Sequence, residues 1–219
     1  MDEKLLSLIE AIKNSPNILK KEYTYSAEES QEINKLILEV REDKFSTKLS
    51  KGEALEELTN KIFRTHKIYK VKKNLRTTSN EIDLFLELDS FGTLIKNNLE
   101  YNIEEEFIVE CKNYKSKVEV TYIGKFASLM RVTHLKNGIF ISKKGVTGDS
   151  KRWSEAKGLI KKIALQDNSF ILDFDLSDFE DLEGKTLAEI LTCKKNSLKL
   201  DVDIESLIVA HELEVVEEQ

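Results

Sequence analysis

One proline, eight glycines, two cysteines and three histidines are few for 219 residues, and each shortage closes a class of reading. With Pro16 alone and so little glycine, no Pro/Gly-rich linker divides the chain, and it carries no internal repeat or low-complexity tract. Cys111 and Cys193 cannot build a disulfide framework, and they form no Cys-x-x-Cys pair for structural zinc. A reducing cytoplasm is therefore the expected compartment. His66, His134 and His211 have no spacing that joins any two of them as metal ligands. No run approaches the roughly 20 apolar residues that span a bilayer, so no membrane partner is expected. Met1-Asp2-Glu3-Lys4-Leu5-Leu6 lacks the basic start and apolar run of a secretion signal. A Gly-rich phosphate loop and a Ser-His-Asp arrangement are missing as well.

What remains is an ordinary globular composition, 40% hydrophobic and 34% charged, long enough for one domain with a sizeable core plus extensions. The net charge of −6 argues against a nucleic-acid partner only until its distribution is read. Residues 111–162 hold 13 Lys or Arg against 3 Asp or Glu, whereas 163–219 hold 4 against 15. A basic surface inside an acidic protein still attracts phosphates, because steering follows local potential. The alternative is that these lysines are solvated helix faces.

Apolar periodicity predicts helices over 2–13, 26–41 and 51–65, the last two opened by the capping-box spacings Ser26-Ala27-Glu28-Glu29 and Ser50-Lys51-Gly52-Glu53. The period then shortens. Tyr69 and Val71 suggest a short strand, and 81–88 alternates so that Ile82, Leu84, Leu86 and Leu88 share one side. A polar stretch, 89–104, precedes a strand at 105–112. Helices at 119–135 and 149–165 bracket a buried strand at 137–142, and a strand at 170–174 follows. The fold class is α/β, a mixed, partly antiparallel sheet flanked by helices. Further helices are predicted at 177–192 and 203–210. The expected divisions are a helical N-terminal extension (1–48), a central domain (49–175) and an acidic C-terminal extension (176–219).

The chemistry concentrates in Phe107-Ile108-Val109-Glu110-Cys111-Lys112. Alternation sets Ile108, Glu110 and Lys112 on one face and Val109 and Cys111 on the other. A carboxylate and an amine at the end of an apolar strand are unusual unless paired or bound to an ion. If 82–88 and 105–111 form an antiparallel hairpin with Leu88 opposite Glu105, the same register sets Asp83 opposite Glu110. Two hard oxygen donors then meet beside Lys112, a set suited to Mg²⁺ or Mn²⁺. Lys112 would hold or deprotonate an attacking water and offset charge on the reacting phosphate.

Asp83 followed by Glu110-x-Lys112 resembles the signature of the PD-(D/E)xK nuclease superfamily. Asn80-Glu81-Ile82-Asp83-Leu84 and Glu110-Cys111-Lys112-Asn113-Tyr114-Lys115 resemble its Mrr-type restriction-endonuclease branch, although that branch commonly has glutamine where Glu110 stands. Gly52 to Leu58 is similar to the family's first helix, which carries its glutamate onto Glu56. Gly138 to Ser142, Thr147 and a basic helix are similar to its later strand and helix.

The resemblance implies a restriction-endonuclease-like fold and a Mg²⁺-dependent endonuclease cutting DNA, double-stranded DNA being favoured and RNA left open by the chemistry. It also implies a role in bacterial defence and a homodimer that cuts two strands. Asp83, Glu110 and the Cys111 carbonyl would hold Mg²⁺, for which Mn²⁺ would substitute. Glu56 would orient water, unless its charge-rich helix face is merely solvated. Tyr114, Lys115, Lys117, Lys143, Lys144, Lys151 and Arg152 would contact nucleic acid, with Trp153 a core or stacking residue. The extensions would supply a dimer or protein-partner interface. The rival reading is a catalytically silent nuclease-fold module that recruits partners.

Overall fold

The computed structural model describes residues 20–65, 68–76, 81–98 and 103–201, and the helices expected at 2–13 and 203–210 lie outside them. Helix α1 (Ala27–Glu42) starts on the expected capping box: the Glu29 N–H donates to Ser26 Oγ at 3.2 Å, and the Ser26 N–H donates to the Glu29 carboxylate at 2.9 Å. Helix α2 (Lys48–Thr65) begins three residues before the expected start at 51. Its box is Thr47 with Ser50, each hydroxyl accepting the other's backbone N–H at 3.0–3.2 Å, so Ser50 sits inside the helix rather than capping it.

Five strands follow in sheet order: β1 (Tyr69–Arg76), β2 (Glu81–Leu88), β3 (Glu106–Lys112), β4 (Asn137–Ser142) and β5 (Phe170–Asp175). The first three pair antiparallel and the last three parallel, joined by crossover helices α4 (Val120–Val132) and α5 (Glu155–Asp167). This is the expected mixed α/β sheet. Strand β4 is buried on both faces, all six of its residues being buried, whereas β2 alternates between buried and part-exposed residues. On one face Leu84, Leu86, Val109, Cys111 and Ile141 pack with α1 and α2; on the other Ile108, Phe140 and Ile171 pack with α4 and α5.

Four local expectations are corrected. The polar stretch 89–104 contains a helix, α3 (Ser90–Asn98), whose Phe91 and Ile95 face the core while the flanking polar residues mask the period. Helix α5 starts at 155 rather than 149, because Trp153 takes left-handed φ 51° and residues 150–153 turn around Asp149 instead. In place of one helix over 177–192 there is a 3-10 turn (Leu176–Phe179), a break at Gly184 (φ 76°) and then α6 (Leu187–Asp201). Thr186 and Glu189 cap α6 reciprocally. Ile82 does not share a side with Leu84 and Leu86: it packs in the α4/α5 layer. Asn74, left-handed at φ 52°, stands opposite Asp83, and that pair drops out of the ladder, turning the end of the hairpin over.

Gly158 offers a test of how the 150–153 turn is held. A Cβ there would overlap the Trp153 carbonyl group. Alanine inside a helix ordinarily stabilises by up to about 1 kcal/mol over glycine. Gly158→Ala is instead expected to destabilise by about 1–3 kcal/mol through overpacking, read from the urea midpoint.

Candidate active site

The β2–β3 register brings the chemistry together. Leu84 faces Val109, Phe85 faces Ile108 and Leu86 faces Phe107, the offset that the Leu88–Glu105 pairing anticipates. Beyond Leu84 the ladder gives way to a side-chain contact: the Cys111 N–H donates to Asp83 Oδ2 at 2.7 Å. Asp83 is thus fixed to β3 by the backbone between Glu110 and Lys112. Glu110 and Lys112 are ion-paired, each about a fifth exposed, and Lys112 Nζ also donates to the Cys111 carbonyl at 3.3 Å. The Cys111 side chain turns to the opposite face, where its thiol donates to Thr59 Oγ1 of α2 at 3.5 Å.

Asp83, Cys111 and Lys112 line a cleft of about 870 Å³. Glu56 of α2 faces it, whereas its neighbours Glu53 and Glu57 are exposed and Glu57 pairs with Lys73. Burial raises the Asp83 carboxyl above its ordinary range, opposed by the Cys111 N–H and the Lys112 ammonium. Glu110 is raised by burial and then by Asp83, against the pull of Lys112. Glu56 is raised by burial and by Asp83. Burial would lower Lys112, but Glu110 and Asp83 outweigh it and raise it, so the ammonium stays charged at neutral pH. The Cys111 thiol is pushed far up by burial and is no nucleophile.

Close to Asp83, three carboxylates (Asp83, Glu110 and Glu56) meet one ammonium, Lys112, with a backbone carbonyl beside them, while Lys48, Lys51 and Lys115 line the rest of the cleft with Asp43. Carboxylate and carbonyl oxygens are the donor type suited to a hard divalent cation. As the side chains stand, Lys112 occupies Glu110, and among the described residues no three His, Cys, Asp or Glu gather closely enough to hold an ion.

The other expected contacts divide. Tyr114 and Lys115 line the cleft, with the Tyr114 ring edge-on to Tyr122 at 5.3 Å. Lys117 and Lys144 are exposed, as are Lys151 and Arg152, which lie in the 150–153 turn rather than on a helix. Trp153 is core, with the Lys161 ammonium 5.1 Å over its ring. Lys143 is buried, not displayed on a groove: its ammonium donates to the Arg41 carbonyl at 3.1 Å and lies 3.8 Å from Asp43. Burial lowers its pKa and Asp43 opposes that. The cleft also includes Asp43, Phe45, Ser46, Thr47, Lys48, Lys51, Gly52 and Asn113, none of them expected as a site residue from the sequence. Asn113 adjoins Lys112 and was open to notice; residues 43–47 precede the resembling region and carry no signal.

A family model described as a restriction endonuclease, the Mrr catalytic domain, matches residues 48–174. Neither curated proteins nor solved structures gave a match.

Proposed function

From the premise that this chain belongs to the Mrr-type restriction endonuclease family of the PD-(D/E)xK nuclease superfamily, and so carries a restriction-endonuclease-like nuclease domain, we propose that it is a divalent-metal-dependent endonuclease that hydrolyses phosphodiesters in DNA. The observation that carries this reading is that Asp83, Glu56 and Lys112 line one cleft, with Glu110 ion-paired to Lys112 and Asp83 tied to the backbone between them.

Asp83, Glu110 and the Cys111 carbonyl would hold Mg²⁺ or Mn²⁺, which when bound supplies Lewis-acid polarisation of the phosphodiester. The protein's own groups do the rest. The Cys111 N–H orients Asp83. Lys112, once turned from Glu110 to substrate, sets a positive charge beside the phosphoryl oxygens as they gain negative charge. Glu56, its proton affinity raised, orients the attacking water and accepts its proton. Water oxygen bonds to phosphorus as the bond to the leaving sugar oxygen breaks, and that oxygen takes up a proton from solvent. Tyr114, Lys115, Lys117, Lys144, Lys151 and Arg152 would meet the phosphate backbone.

In this reading residues 49–175 carry catalysis, and 1–48 and 176–219 supply a dimer or partner interface. The setting is cytoplasmic restriction of foreign or modified DNA. The test is purified protein with plasmid, single-stranded DNA and RNA, with Mg²⁺, Mn²⁺ or EDTA. Metal-dependent cleavage of plasmid, absent in EDTA, is the expected result. No cleavage of any substrate, together with no gain in thermal stability from Mn²⁺, would favour the silent binding module instead.

A further inference from the structure

The turn between α1 and α2 lines the same cleft as Asp83 and Lys112 and forms a wall of it, through Asp43, Phe45, Ser46 and Thr47, continued by Lys48 at the start of α2. Such a turn has little apolar anchorage of its own, yet three polar ties hold it to the ends of β3 and β4. Asp43, left-handed at φ 57°, accepts from Lys51 Nζ at 2.7 Å and faces Lys143 Nζ at 3.8 Å. Lys143 Nζ donates to the Arg41 carbonyl at 3.1 Å, while its backbone N–H donates to the Lys112 carbonyl at 3.2 Å. Asn113 Nδ2 donates to the Lys51 carbonyl at 2.6 Å. One residue, Lys143, is therefore bonded at its backbone to the candidate catalytic lysine and at its side chain to that wall.

The Lys143 side chain is only 5% exposed, so it has no surface from which to touch a phosphate. A buried ammonium costs free energy unless paired, and removing one partner leaves the other uncompensated. Its place is explained by the wall it holds.

We propose that Lys143 is a positioning residue, which with Asp43 clamps the α1–α2 turn at a set distance from Lys112 and so fixes the width of the cleft over the scissile phosphate. The proposal rests on the nuclease reading above. Two variants test it: Lys143→Met, and Asp43→Asn, which keeps a residue tolerant of left-handed backbone. Each is expected to slow single-turnover cleavage of a labelled duplex about 10²-fold, the scale of a ~1 Å misplacement. The double variant should cut no more slowly than Lys143→Met, since the two share one interaction. The slope of log Kd against log salt, measured in EDTA, should stay at the wild-type value, whereas Lys115→Ala flattens it by about 0.9.

A merely stabilising role would lower Tm and leave cleavage well below Tm unchanged. That result overturns the proposal, as does a flattened salt slope for Lys143→Met, which would make Lys143 a phosphate contact. If the wild-type protein cuts nothing, the nuclease reading fails separately, and hydrogen exchange at residues 45–51 decides the clamp. Faster exchange in both variants upholds it; unchanged exchange overturns it.

Discussion

Replacing Asp83 by asparagine is expected to abolish cleavage while making the metal-free protein more stable at neutral pH. Burial raises the folded-state pKa of Asp83 above the ordinary carboxylate value of about 3.9. Between those two values the folded state binds more protons than the unfolded one, so stability falls as pH rises through the window. Above it the ionised carboxylate carries its full penalty, shared with Glu110 and Glu56, which Asp83 also raises. Asparagine cannot ionise, yet its Oδ1 still accepts the Cys111 N–H. Each kcal/mol relieved lifts Tm by about 2–4 °C for a chain of this size. The gain should be present at pH 7.5 and vanish near pH 4, by calorimetry at both values. Cleavage should fall about 10³-fold or more, since metal-ion charge stabilisation is worth several kcal/mol and each ~1.4 kcal/mol is tenfold. Mn²⁺ should raise Tm in the wild type only. A folded Asp83→Asn protein that cuts at the wild-type rate would remove Asp83 from the site.

Why that carboxylate was legible, and its surroundings were not, follows from how far each signal travels along the chain. Period-two alternation in Glu81–Leu88 and Phe107–Lys112 is local, and one pairing between the two strands fixes the others from Leu84–Val109 to Glu87–Glu106, though not Asp83–Glu110, where the ladder ends and Asp83 takes the Cys111 N–H. The capping box at Ser26 is equally local. The face of Ile82 depended instead on a left-handed Asn74 in the partner strand, which no pattern in β2 announces. Lys143 read as a surface cation because lysines usually are. It is buried only because Arg41 and Asp43, a hundred residues earlier, bring a carbonyl and a carboxylate to it. The cleft wall at 43–47 is a tertiary product of the same kind. Helix α3 was hidden for a different reason, its short apolar face being diluted by polar residues on both sides.

Lys112→Met is expected to part binding from turnover, and its pH behaviour shows which role the lysine has. With its pKa raised by Glu110 and Asp83 against the effect of burial, Lys112 is a charged donor at neutral pH rather than a base. The stability it contributes is fully present below its unfolded pKa of about 10.4 and is lost only as pH rises through the higher folded value. Methionine keeps the bulk and removes the charge, leaving Asp83 and Glu110 facing each other without relief. The metal-free variant should therefore be less stable than wild type at pH 7.5, and the deficit should shrink on acidification as both carboxyls take up protons. Without an ammonium to displace from Glu110, Mn²⁺ should bind the variant at least as tightly, by calorimetric titration. DNA affinity should be nearly kept, while single-turnover cleavage falls by about 10²–10⁴-fold, the range for a positioned proton-transfer or charge-stabilising group. Lys112→Arg keeps the charge but brings a larger, planar head, so it should restore stability without restoring rate. If Lys112→Met holds both ligands and cuts as fast as wild type, Lys112 is only the counter-ion of Glu110, and transition-state charge is met elsewhere in the cleft.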